Sequence, residues 1–291
     1  MNKITIIGGC GYLGKSVVEQ AALNKNNRIQ VIDLKITNQI KSKNIKYIKE
    51  DIKNFSVINK LIKSQDFVIH LAGIADLDEA KNQPKRTFEE NIMGTINVLE
   101  SCVKNKIKKF IFSSSLYVNG DHGGFYTCSK KACENYIEEY GRKFNLNFLI
   151  LRFGSLYGSG SDITNGLHKI IYNSLKQKRV SYYGNPEASR EYIHVEDAGK
   201  ATIDLTLQKK FVNQKINISG HNTIKITELL EMVKEITNIK RKIMFAKKKH
   251  IGHYIRVPYS SEKIPKKYTI NPSIDFPEGL NHLINQIKKE I

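Results

Sequence analysis

The sequence predicts an α/β fold, a doubly wound parallel sheet followed by a smaller C-terminal lobe. Three observations carry that prediction. Short apolar runs alternate with segments of helical period through the first half, a glycine-rich turn follows the first run directly, and the second half changes to loops containing Gly, Ser and Pro.

The runs are ITII at 4–7, IQVIDL at 29–34, FVIHLAG at 67–73, FIFSSS at 110–115 and FLILRF at 148–153. Crossovers between such strands are right-handed and leave ligands at the strands' carboxyl ends, which is where the chemical motifs fall. Beyond residue 155, GSGSD (158–162) and YGNPEASREY (183–192) read as loops, one helix is predicted from near Thr227, and a final amphipathic helix from near Pro277. The expected division is residues 1–154 as a nucleotide-binding domain and 155–291 as mostly a substrate lobe, with some segments free to return to the first domain.

Composition narrows the function classes. With 40% hydrophobic residues and six prolines the chain reads as globular, and no apolar run approaches the roughly 18 residues of a membrane span. The start, MNKITIIGGC, is a first buried strand rather than a signal peptide, so the expectation is a soluble, cytoplasmic protein that does not engage a membrane. Cys10, Cys102, Cys128 and Cys133 show neither CxxC nor zinc spacing, which suits free thiols in a reducing compartment. His250 and His253 have no ligand cluster around them, and no metal is expected. The net charge of +19 raises nucleic-acid binding. The lysines are spread over most of the chain, though, and the runs Lys240–Lys242 and Lys247–Lys249 lack interleaved aromatics, so no nucleic-acid partner is expected.

Gly8, Gly11 and Gly14 follow the first strand, so backbone amides at a helix N-terminus can approach a pyrophosphate with no side chain between. The same stretch satisfies a competing pattern, because Gly9, four residues, then Gly14, Lys15 and Ser16 spell a P-loop. The next strand separates the two. Asp33 stands nineteen residues after Gly14, where a carboxylate can hold both hydroxyls of an adenosine ribose. This predicts a Rossmann-type site, and Asp33 followed by Leu34, with no neighbouring arginine, favours NAD over NADP.

YTCSK puts Tyr126 and Lys130 four apart on one helical face. An ammonium there can lower the phenol's pKa and make it a general base towards a sugar hydroxyl. Ser115, at the carboxyl end of FIFSSS, can hydrogen-bond the same substrate oxygen.

With these motifs in place, the sequence resembles the extended short-chain dehydrogenase/reductase family, specifically its nucleotide-sugar epimerases and dehydratases. GGCGYLG, VIDL, Glu50-Asp51-Ile52, VIHLAG, NIMGTINVLE, FIFSSS, YTCSK, LRFGSLYG, SREYIHVEDA and INISG follow the family's order nearly end to end. The resemblance implies that Asp51 and Ile52 meet the adenine and that Leu71, Ala72 and Gly73 line the cofactor groove. It implies that Asn91 faces the cofactor, that Lys130 also binds the nicotinamide ribose, and that Tyr12, Leu13, Ser113 and Phe153 complete the NAD contacts. Arg190 matches an arginine that holds the diphosphate of a nucleotide sugar, with Arg256 or Lys248 as a second phosphate contact.

Three departures stand out. Leu116 and Tyr117 replace the Asp-Glu pair of the dehydratases, which argues against 4,6-dehydration. Only ten residues separate Ser115 from Tyr126, fewer than usual, and Phe125 replaces a common proline. Ser155 replaces an expected asparagine, at a position implied to meet substrate. The expected activity is NAD-dependent epimerisation of a nucleoside-diphosphate hexose at C4, through a transient keto-sugar, in surface-polysaccharide synthesis. A keto-sugar reductase or dehydrogenase with the same residues, and a catalytically silent NAD- or RNA-binding member, stay open. The family's habit implies a homodimer through helices starting near Gly94 and Tyr126.

Overall fold

The computed structural model describes residues 1–37, 39–245, 266–271 and 273–291. All five predicted runs form strands: β1 (Asn2–Ile7), β2 (Asn27–Asp33), β4 (Phe67–His70), β5 (Lys109–Ser115) and β6 (Phe148–Phe153), with β3 (Ile45–Lys49) added after β2. The helices between them are α1 (Tyr12–Leu23), α2 (Phe55–Leu61), α3 (Leu77–Asn82), α4 (Pro84–Thr87), α5 (Gly94–Lys104) and α6 (Gly124–Phe144). A π-helical turn, Phe88–Met93, runs directly into α5.

The second half contributes β7 (Ser155–Tyr157), α7 (Gly166–Gln177), β8 (Ser181–Tyr182), β9 (Ser189–His194), α8 (Val195–Leu207), β10 (Gln214–Ile218), β11 (Thr223–Lys225), α9 (Ile226–Ile236), β12 (Met244–Phe245), β13 (Lys266–Tyr268) and α10 (Phe276–Glu290). The main sheet has eight strands in the order β13-β10-β6-β5-β4-β1-β2-β3, every pair parallel. That is a Rossmann-type doubly wound fold. The order reverses between β1 and β4, and the glycine turn after β1 opens into that crevice.

Residue 155 is not a single crossing point, because β10 and β13 return to the main sheet and α8 packs on α1. Alternation along each strand sends its side chains into two cores. Ile6 joins Val17, Ala198 and Leu149 on the α1/α8 side, while its neighbour Ile7 joins Val98, Ile137 and Ile150 on the α2/α5/α6 side. Fully burying each such side chain contributes about 1.5–3 kcal/mol. A third core, containing Tyr157, Leu229 and Leu283, lies between α7, α9, α10 and the small sheet β11-β9-β7.

A polar contact also ties α8 to the main sheet. Lys109 Nζ, at the start of β5, donates to the carbonyls of Leu205, Thr206 and Gln208 at 3.3, 2.7 and 2.9 Å. Leu205 and Thr206 are in the last turn of α8 and Gln208 is its C-cap, whose carbonyls lack intrahelical donors, so the ammonium closes the helix end.

Candidate active site

The glycine turn is built by contacts that only glycine allows. Gly8 has φ +81°, and a Cβ there would lie 2.5 Å from the Ala72 amide nitrogen. A Cβ on Gly14 would lie 2.1 Å from the Gly8 carbonyl oxygen. Gly11 caps α1 without a side-chain hydrogen bond, and the first turn carries no acid, so the positive helix end is left for an anion. Leu13 is buried in the core, and the Tyr12 phenol donates to the Gly158 carbonyl at 3.1 Å. Both side chains are therefore committed to contacts within the protein.

The P-loop reading fails on geometry. Lys15 sits 4.0 Å from Glu19 with 47% of its side chain exposed, and Ser16 is buried where α8 crosses α1 at Gly199.

A cavity of about 310 Å³ opens from the glycine turn and is lined by Gly8, Gly11, Asp33, Asp51, Ile52 and Ala72. Leu71 and Gly73 extend the wall as expected. Asp33 accepts from the Cys10 amide at 2.9 Å and from the Lys35 amide at 3.3 Å, which orients its carboxylate across the crevice. Glu50 and Glu90 join Asp33 and Asp51 on the walls against one cation, Lys35, a balance that disfavours an added 2′-phosphate. The residues fit NAD.

Asn91, to which the resemblance gives a cofactor contact, is 2% exposed and its amide is held within the protein. Its Oδ1 accepts from the Ile74 amide at 2.7 Å; its Nδ2 donates to the Ile74 carbonyl at 3.0 Å and to Ser129 Oγ at 2.9 Å. Asn91 thus anchors the loop after β4 to α6 and shapes the groove from behind.

Ser115, Tyr126 and Lys130 do come together. Ser115 ends β5, while Tyr126 and Lys130 lie in the first two turns of α6, and all three are buried. The Ser115 hydroxyl lies close enough to the Tyr126 phenol to favour its ionised form. Lys130 Nζ donates to the Ser113 carbonyl at 2.9 Å and lies 5.9 Å from the Tyr126 ring centre.

The expected lowering of the phenol by Lys130 is not the net effect here. Burial raises the Tyr126 phenol and Ser115 pulls it partly back. Burial likewise lowers the Lys130 ammonium, opposed by Cys133 and Glu134. NAD held in the crevice would supply a cationic ring, whose charge favours the phenolate, and a hydride acceptor.

Phe153, opposite Ser115 in register, is buried at the end of β6. Ser155 lies on β7 opposite Tyr192. Arg190 is buried in β9 with Nη1 donating to the Ser189 carbonyl at 2.7 Å, and its charge reaches the Tyr182 phenol. Arg256, Lys248, His250 and His253 lie outside the described residues. No group of His, Cys, Asp or Glu among the described residues could hold a metal ion.

Three site-adjacent residues escape the sequence reading. Glu134, which is buried, and the half-buried Arg152 and Asn119 form a network beside Ser115. One signal existed: Glu134 falls four residues after Lys130, on the same helical face.

A dinucleotide crevice with a tyrosine, lysine and serine at the carboxyl ends of its strands defines a nucleotide-cofactor enzyme of the short-chain dehydrogenase/reductase type. The chain belongs to the NAD dependent epimerase/dehydratase family, whose sequence model matches residues 4–219. The UDP-glucuronate 4-epimerase of Thermodesulfobacterium geofontis is 24% identical, over 100% of this chain and 98% of that protein. The dTDP-D-glucose 4,6-dehydratase of Dictyostelium discoideum is 27% identical, over 82% of this chain and 62% of that protein. The crystal structure of UDP-glucuronic acid 4-epimerase from Bacillus cereus, with UDP-glucuronic acid and NAD, superposes at a TM-score of 0.85. It covers 99% of this chain and 100% of that one at 22% identity, a likeness of fold.

Proposed function

We propose that the protein is an NAD-dependent epimerase of a nucleoside-diphosphate hexose, inverting C4 through a transient keto-sugar. The observation that carries this reading is that Ser115, Tyr126 and Lys130 come together, buried, at the carboxyl end of β5 and the start of α6, beside the dinucleotide crevice. NAD held in the crevice would supply the hydride acceptor for the sugar carbon and, once the keto-sugar has turned over, the hydride donor to its opposite face. Tyr126, as phenolate, accepts the proton of the 4-hydroxyl and gives it back after the keto-sugar has turned over. Ser115 donates to the sugar oxygen as it becomes a carbonyl, and the Lys130 ammonium holds positive charge beside the phenolate. Arg190 receives the diphosphate, for which a planar guanidinium suits two oxygens at once.

Elimination of water is disfavoured. Leu116, 1% exposed, is buried core, and Tyr117 packs edge-on against Tyr126 with ring centres 6.3 Å apart. Neither supplies a carboxyl group in place of the dehydratase Asp-Glu pair. The exposed Met93 and Tyr136, before α5 and on α6, support a homodimer through those helices.

The test is to purify the protein, identify bound dinucleotide by mass spectrometry, and incubate it with UDP-glucose, UDP-glucuronate and UDP-N-acetylglucosamine in turn. The expected result is tightly bound NAD and a C4 epimer by NMR without net NADH. Accumulating NADH would point to a dehydrogenase, and a product lighter by one water to a dehydratase.

A further inference from the structure

The chain on both sides of Ser115 is tied to the helix bearing Tyr126 and Lys130 by side chains that the chemistry above does not use. Glu134 stands one turn beyond Lys130 on α6, with 3% of its side chain exposed. Its Oε1 accepts from Ser114 Oγ at 2.6 Å and from Arg152 Nε at 2.9 Å, and its Oε2 accepts from Arg152 Nη2 at 2.6 Å. Arg152 Nη1 then donates to Asn119 Oδ1 at 2.7 Å. Ser114 and Arg152 are register partners on β5 and β6. One buried ion pair therefore grips residues 114 and 119, which bracket Ser115.

Stability is a poor reason for such a pair, since desolvation offsets most of its attraction and apolar replacements often do as well. Direction is a better one. The guanidinium is planar and bidentate on Glu134, so its remaining nitrogen points one way only, to Asn119. That donor also fixes which end of the Asn119 amide faces it and leaves Nδ2 buried with no partner among the described residues. The turn keeps its orientation although one donor goes unsatisfied. Lys215 Nζ, 3.6 Å from Glu134 and 3.0 Å from Glu138, brings a further cation from β10. Glu134 also opposes the downward push of burial on the Lys130 ammonium.

We propose that Arg152 and Glu134 are positioning residues that fix the turn 115–119, through Ser114 and Asn119, so that the Ser115 hydroxyl stays within reach of the Tyr126 phenol and the substrate oxygen. This rests on the epimerase reading given above.

Asn119→Ala removes only the arm to the turn, Arg152→Met removes the fork, and Glu134→Gln keeps the shape without the charge. In the full-length, NAD-loaded enzyme, assayed with whichever of the three UDP-sugars the wild type epimerises, each variant is expected to lower kcat by about 10–100-fold, the cost of misplacing a reacting group by an ångström. KM should hold within about twofold, because binding groups are untouched. The acid limb of the kcat profile should move to higher pH as the Ser115 contact with the phenol is lost. A purely structural role would lower the thermal midpoint of Arg152→Met and leave kcat and the pH profile of folded enzyme at wild-type values, which overturns the proposal. Should Arg152→Met fail to fold, Asn119→Ala, at a half-buried position, decides.

A second readout needs no substrate. Amide hydrogen exchange at residues 116–120 of the NAD-loaded protein should quicken about tenfold or more in Asn119→Ala while α6 is unchanged. Unchanged exchange overturns the clamp. Faster exchange in a protein whose wild type epimerises no UDP-sugar sinks the epimerase reading instead and leaves the clamp standing.

Discussion

The Ser115 hydroxyl stands close enough to the Tyr126 phenol to oppose the effect of burial on it, so the two groups proposed to meet the substrate oxygen converge on one point. Burial raises the phenol, and Ser115 is the contact that opposes it. Ser115→Ala should therefore lower kcat by about 100-fold or more and shift the acid limb of the profile to higher pH, since the base must ionise without its donor. Tyr126→Phe should lose activity at every pH while still binding NAD. A Ser115→Ala profile superimposable on the wild type would show that Ser115 does not tune the phenol.

Asp33 holds the glycine turn and faces the cofactor cavity. Its Oδ2 takes the Cys10 amide at 2.9 Å, and it faces the cavity beside Asp51 and Ile52. Asp33→Ala should weaken NAD by about 1.5–3 kcal/mol, or roughly 10–150-fold, through loss of charge-assisted hydrogen bonds. NADP should weaken less, because the repelling carboxylate goes as well. Titration calorimetry with both dinucleotides checks this, and an unchanged NAD:NADP ratio would contradict it.

Much of this site could be read from local sequence. A strand, a glycine turn and a helix start must be consecutive, so Gly8, Gly11, Gly14 and Asp33 announce themselves by spacing, as do Tyr126 and Lys130 within two helical turns. The parts that escaped depend on neighbours distant in sequence. β3 reads IKYIK, with lysines on an edge strand that has the sheet on one side only, and its apolar signal is broken accordingly. β10 joins β6 across a gap that contains the whole three-stranded sheet except β11. Asn91 and Arg152 are placed by partners 17 and 18 residues away, Ile74 and Glu134, which no period reveals.

His70 makes stability depend on pH. The ring is buried at the end of β4, with Nε2 3.0 Å from Thr95 Oγ1 and Nδ1 without a partner among the described residues. Because the Thr95 hydroxyl donates to the Asn91 carbonyl, its oxygen is left to accept, and the neutral ring carries its proton on Nε2. Burial, and secondarily the charge of Lys130, push its pKa from 6.5 down to about 3. The unfolded chain then binds a proton below pH 6.5 that the folded chain refuses until about pH 3. Stability should fall as pH drops through that window, by about 2 kcal/mol at pH 5. Urea unfolding at pH 7 and pH 5 measures it. His70→Gln, whatever its own midpoint, should show a smaller change between the two, and an equal change would remove His70 as the cause.

Gly14 and Lys15 are adjacent, and the two readings of the glycine turn weigh them oppositely. A phosphate-cradling P-loop needs Lys15, whereas the turn described here needs Gly14. The Lys15 ammonium lies beside Glu19 on the exposed face of α1, in a surface pair of the kind whose contribution is about 0–1 kcal/mol. Lys15→Ala should leave NAD affinity unchanged within about twofold and stability within about 1 kcal/mol. Gly14→Ala sets a methyl 2.1 Å from the Gly8 carbonyl oxygen and 2.7 Å from the Gly9 Cα, both backbone atoms that move only if the turn itself moves. That displacement shifts the amides that approach the pyrophosphate, so NAD affinity should fall by about 10-fold or more even where the variant folds, a shifted backbone donor leaving its anionic partner unpaired. Equilibrium dialysis of both variants against NAD and ATP separates the readings. Loss of NAD in Lys15→Ala, or ATP binding that Lys15→Ala abolishes, would restore the P-loop.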